Sequence, residues 1–102
     1  MPFDQHGHLI PGRISPQLEV PTQIKRPPYV GLAVPPAYTG NNTYTEAEID
    51  KIRAAGRIAS RAIDAVEAAI RPGVTTAELD SIAHDYVISQ GAYPSTLGYR
   101  GF

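Results

Sequence analysis

The chain has 102 residues, a net charge of −1, no cysteine, no tryptophan and one methionine. That length holds at most one modest domain. The missing cysteines exclude a disulfide framework and thiolate metal sites, and suit a reducing, cytoplasmic setting. Near-neutral charge argues against a general nucleic-acid or membrane-surface binder; the first residues lack a basic and an apolar stretch, so no signal peptide is expected, and no run of about 18 apolar residues occurs.

Residues 1–44 read as an irregular, proline-rich extension. Eight of the ten prolines fall within the first 36 residues. Each fixes its own φ and pushes its predecessor toward extended backbone, so helix is disfavoured. No two prolines stand three apart, which leaves an SH3-type ligand poorly supported. Apolar residues recur between the prolines, so the arm is expected to lie along a folded body, pinned by Ile24, Tyr29, Val30, Leu32 and Val34. Removing residues 1–40 is expected to lower stability modestly and to leave the activity of the body within about a factor of ten.

At Thr45 the pattern changes. Thr45-Glu46-Ala47-Glu48 is a capping box, in which the Thr hydroxyl and the Glu carboxylate satisfy free N–H groups at a helix start. Ile49, Ile52, Gly56, Ala59, Ile63, Val66 and Ile70 then advance by threes and fours, the stripe of an amphipathic helix, with Ile58, Ala62 and Ala69 widening one side. Pro72-Gly73 stops it near Arg71. Such a helix is nearly 40 Å long, more than the following residues can cover.

A second box, Thr75-Thr76-Ala77-Glu78, opens another helix. Leu79, Ile82, Ala83, Tyr86 and Val87 form its buried face and Gly91 its C-terminal cap. Residues 92–102 suit a strand passing into a glycine-punctuated loop. The residues by themselves thus predict an α+β unit of two amphipathic helices and a strand, over residues 45–102. A lone strand leaves its edge unpaired, so this unit is expected to be completed by further polypeptide covering Ile49, Ile63, Val66 and Leu97.

Candidate chemistry within the chain is sparse. His6-Gly7-His8 has no carboxylate or thiolate support for a metal and reads as a solvated terminus. His84 falls off the buried stripe of the second helix and is expected at the surface. Asn41-Asn42-Thr43 reads as turn chemistry. Arg53, Arg57 and Arg61 form a ladder opposed by Asp50, Asp64 and Glu67, the pattern of a solvated face. Thr96, Tyr99 and Phe102 recur every three residues between glycines, and suit either core packing or one wall of an apolar pocket.

Three blocks together resemble type I methionine aminopeptidases: Ile52-Arg53-Ala54-Ala55-Gly56-Arg57-Ile58-Ala59, Arg71-Pro72-Gly73-Val74-Thr75-Thr76-Ala77-Glu78-Leu79-Asp80, and Tyr93 through Phe102. The first two are shared loosely with related pita-bread peptidases, and the third points to the methionine enzymes. The resemblance implies the N-terminal part of a pita-bread fold. It also implies metal-dependent removal of the initiator Met from nascent polypeptides with a small second residue. Two divalent metal ions would be bound by residues beyond this stretch, so no catalytic or metal-ligating residue is assigned within it. The family's methionine side-chain pocket maps onto Thr96, Tyr99 and Phe102. Thr96 stands where Cys is frequent, Arg100 where His is frequent and Phe102 where Tyr is frequent. The implied partners are nascent N-termini and the remainder of the polypeptide, with no membrane and no specific nucleic acid. The competing readings are a non-catalytic helical module docking on a partner such as the ribosome, and a pita-bread homologue that lost its metals.

Overall fold

The computed structural model describes residues 2–102. Its regular elements are α1 (Glu46–Ala69), α2 (Thr76–Ser89) and a single 3-10 turn at Tyr99–Gly101. Both capping boxes form. Thr45 Oγ1 accepts from the Glu48 amide at 3.2 Å while Glu48 accepts from the Thr45 amide at 3.0 Å, and Thr75 with Glu78 repeats the exchange. The α1 helix ends two residues before Arg71, because Ile70 is already extended at ψ 122°. The end of α2 is closed by Gly91 at φ 73°. The Gly91 amide donates to Ile88 and the Ala92 amide to Val87, which gives the last carbonyls their partners.

The two helices pack on each other. The covered side of α1 carries Ala54, Ile58, Ala62, Ala65, Val66 and Ala69, of which Ala62 is buried. Small side chains there let the backbones approach closely. Ile52, Ile63 and Ile70 face water, Ile63 being 67% exposed, so only Ile49 and Val66 of the long isoleucine-rich stripe are half-buried. The flank expected merely to widen the stripe is therefore the one that packs.

Two expectations are corrected. Residues 92–102 do not form a strand. Leu97 donates to Pro94, Tyr99 to Thr96 and Phe102 to Tyr99, and the Gly98 amide reaches the Phe102 carbonyl at 2.6 Å. Gly98, Arg100 and Gly101 all have positive φ, which coils the backbone too tightly for a ladder. His84 is not at the surface either. It is 8% exposed, and its Nε2 donates to the Glu19 carbonyl at 2.8 Å. The arm lies over the side of α2 that carries His84 and Ile88, a side that periodicity alone assigns to solvent.

The arm is irregular but tied down. The Arg26 guanidinium donates to the carbonyls of Val20, Pro21 and Ile24, folding that segment into a knot around Ile24, which is 7% exposed. Of the expected pins, Tyr29 and Val30 are half-buried, whereas Leu32 and Val34 face solvent. At the start of the chain Asp4 accepts from the His6 and His8 amides, each at 2.9 Å, and Phe3 bridges Leu9 around Gly7. Among the described residues no helix is long and apolar enough to cross a membrane.

Candidate functional site

The loop that follows α2 carries the three candidate pocket residues. Its path is set by backbone: the successive turn hydrogen bonds over Pro94–Phe102 close it on itself, and Tyr93 Oη donates to the Leu97 carbonyl at 2.7 Å across its base. Arg100, at φ 50° and ψ 37°, is the sole non-glycine with positive φ among the described residues, and occupies a small allowed region beside Gly101. Thr96, Tyr99 and Phe102 thus share one compact turn.

Their side chains are not sealed in a core. Tyr99 is 43% and Phe102 75% exposed, and Thr96 also faces solvent. The Tyr99 ring meets the Tyr29 ring edge-on, centroids 5.3 Å apart at 87°, and the Arg100 guanidinium lies 5.7 Å from the Tyr99 centroid. Phe102 presents a bare aromatic face. An open groove of about 430 Å³ lies between arm and loop, with Gln17, Val30, Leu32 and Ala33 on one side and Gly98 and Gly101 on the other.

The arm reaches this loop at several points that sequence reading did not find. Tyr29 Oη donates to the Ser95 carbonyl, and Gln17 Nε2 donates to the Phe102 carbonyl at 3.0 Å. Val30 sits so close to Gly98 that a Cβ there would meet both Val30 methyls at 3.4 Å. Desolvation raises the Tyr29 phenol above its ordinary value, with Tyr93 and Tyr99 adding to the effect, so it stays a neutral donor at physiological pH. The recurring apolar residues signalled that the arm would pack; its partner was hidden because 66 residues separate Tyr29 from Ser95.

Elsewhere Glu48 and Glu78 serve helix starts, and Asp50 and Asp4 make surface pairs. Arg53 lies 3.6 Å from Asp50, both well exposed, and such pairs add little. His8 lies 3.5 Å from Asp4 on the exposed terminus. No group of three or more His, Cys, Asp or Glu residues that could hold a metal ion occurs among the described residues.

The model of metallopeptidase family M24 matches residues 50–102, and the chain belongs to that family of metal-dependent, pita-bread peptidases. Within it the similarity is to methionine aminopeptidases. The chain is 51% identical over 96 residues to methionine aminopeptidase 2 of Mycobacterium tuberculosis, covering 92% of this chain and 33% of that protein. It is 43% identical over 95 residues to the chloroplastic and mitochondrial methionine aminopeptidase 1D of Arabidopsis thaliana, covering 92% and 27%. It is 46% identical over 59 residues to the methionine aminopeptidase of Salmonella typhimurium, covering 57% and 22%. The chain spans a third or less of the length of these relatives. The first two matches leave fewer than about ten residues of the chain outside, so they run through most of the proline-rich arm.

Proposed function

We propose that the protein carrying this chain is a methionine aminopeptidase that removes the initiator Met from nascent polypeptides with a small second residue. The similarity to enzymes of that name over 92% of the chain carries the reading. In it, residues 45–102 supply scaffold and part of the methionine side-chain pocket, through Thr96, Tyr99 and Phe102. Two divalent ions are held by residues outside this stretch, and the enzyme works in the cytoplasm on peptides emerging from the ribosome. Phe102 and Tyr99 offer an exposed aromatic face on a backbone-fixed loop, which suits a flexible thioether. Burying a methionine side chain contributes about 1.5–3 kcal/mol, and sulfur–aromatic contact adds about 0.3–1.5 kcal/mol.

The test is peptide cleavage by the full-length, metal-loaded protein. Phe102→Ala and Tyr99→Ala are expected to lower kcat/KM for Met-Ala peptides by roughly ten- to a few-hundred-fold with metal content unchanged. Arg57→Ala, on the exposed face of α1, is expected to be near neutral. Full activity in both aromatic variants, with loss in Arg57→Ala, would refute the pocket assignment.

A further inference from the structure

We infer that Tyr29, on the proline-rich arm, is a positioning residue for the methionine pocket. It fixes where the Ser95–Phe102 loop places the Tyr99 ring. The inference rests on the pocket reading above and assigns a specificity role to a segment outside the residues matched by the family model.

The loop determines its own shape mainly through backbone hydrogen bonds, and Gly98 enters the final turn with no side-chain cap. Tyr93 Oη holds the Leu97 carbonyl at its base, and within it Arg100 Nε donates to Tyr99 Oη at 3.4 Å. The two glycines add no side chain that would fix how the turn beyond Leu97 sits on that base. Tyr29 supports that placement in two ways at once. Its hydroxyl holds the Ser95 carbonyl at the loop's entrance, and its ring meets the Tyr99 ring at 87° further along the loop. Val30 against Gly98 and Gln17 on the Phe102 carbonyl brace the same loop on either side.

A brace must itself be anchored. The Val30 amide donates to Pro27 and the Leu32 amide to Tyr29, so Tyr29 stands in consecutive turns. Upstream, Ile24 is buried, Arg26 ties together the carbonyls around it, and the Glu19 carbonyl is held by His84 of α2. The arm therefore runs from an anchor on α2 to a contact on the specificity loop. Its prolines limit how far that contact can stray. On this inference the arm contributes to substrate binding, against the expectation that residues 1–40 can be removed with little effect on activity.

The test uses the full-length, metal-loaded protein and two readouts, with Val34→Ala, on the exposed part of the arm, as control. The first is hydrogen exchange at the amides of Leu97–Phe102. The second is the split between KM and kcat for a Met-Ala-Ser peptide. The hydroxyl contact and the ring contact are each expected to be worth about two- to twelvefold. Tyr29→Phe, which keeps the ring, is expected to raise KM about two- to tenfold. Tyr29→Ala is expected to raise KM roughly ten- to a hundredfold. In both, kcat stays within about threefold, since the loss falls on ground-state and transition-state binding alike. Exchange over Leu97–Phe102 is expected to quicken about tenfold or more in Tyr29→Ala, while α1 is unaffected. Unchanged loop exchange, a loosened loop with unchanged KM, or an equal effect from Val34→Ala each overturns the inference. If the unsubstituted protein leaves Met-Ala-Ser uncut, the functional reading fails by itself. Exchange then decides the brace alone: lost protection in Tyr29→Phe or Tyr29→Ala supports it, and retained protection overturns it.

Discussion

Ile24→Ala tests whether the arm belongs to the folded unit. Ile24 is 7% exposed, so almost the whole side chain has left water. The substitution removes three carbons, a transfer loss of about 2.5 kcal/mol at about 0.8 kcal/mol per carbon. The Arg26 guanidinium clamps the Val20, Pro21 and Ile24 carbonyls in a fixed knot, which limits collapse around the vacated volume. A cavity contribution then brings the expected loss to about 3–4 kcal/mol, within the range for buried Ile→Ala changes. Urea unfolding of the full-length protein, followed by far-UV circular dichroism, reads the loss as a lower midpoint at constant slope. Leu32→Ala and Val34→Ala, from the exposed part of the arm, are expected to cost less than about 1 kcal/mol. An Ile24→Ala effect no larger than theirs would refute a packed arm.

Two further outcomes follow from contacts already described. His84→Leu removes the donor to the Glu19 carbonyl; it is expected to cost about 1 kcal/mol and to speed tryptic cleavage after Lys25, and an unchanged cleavage rate would contradict the His84 anchor. The Thr45 amide, and then the Thr45 side chain, hold the Glu48 carboxyl below its ordinary value of 4.5. The stabilisation is therefore fully present above pH 4.5 and lost as pH falls through the lower folded-state value, so the Thr45 amide resonance is expected to titrate with a midpoint below 4.5, and a midpoint at or above it would refute the reciprocal cap.

Local signals in the sequence were legible and distant ones were not. Thr45 with Glu48, Thr75 with Glu78, Pro72 and Gly91 act within a few residues of themselves, and the helix limits follow from them. His84 failed because its burial depends on a carbonyl 65 residues away, which no helical periodicity records. The face of α1 was ambiguous because both flanks are apolar, and only the partner decides which is covered. No strand forms in residues 92–102 because successive turn hydrogen bonds and the positive φ of Gly98, Arg100 and Gly101 coil the stretch, and at Arg100 residue type alone does not announce that conformation. Thr96, Tyr99 and Phe102 were legible as a cluster, while Tyr29 and Gln17 became visible only once the arm was placed beside them.

The loop's course is settled at Gly98, Arg100 and Gly101, the positions with positive φ. Thr96, Tyr99 and Phe102 fall between and beside them, and all three side chains face outward. Shape and chemistry are thus encoded at separate positions. Exchanges at 96 and 102 alter the exposed surface while leaving the backbone's route intact, whereas a β-carbon at Gly98 or Gly101 meets an unfavourable φ and, at Gly98, the Val30 methyls as well. Substitution has an open path through the first set and a closed one through the second, so the exposed chemistry of this loop can change without the protein having to relearn its fold.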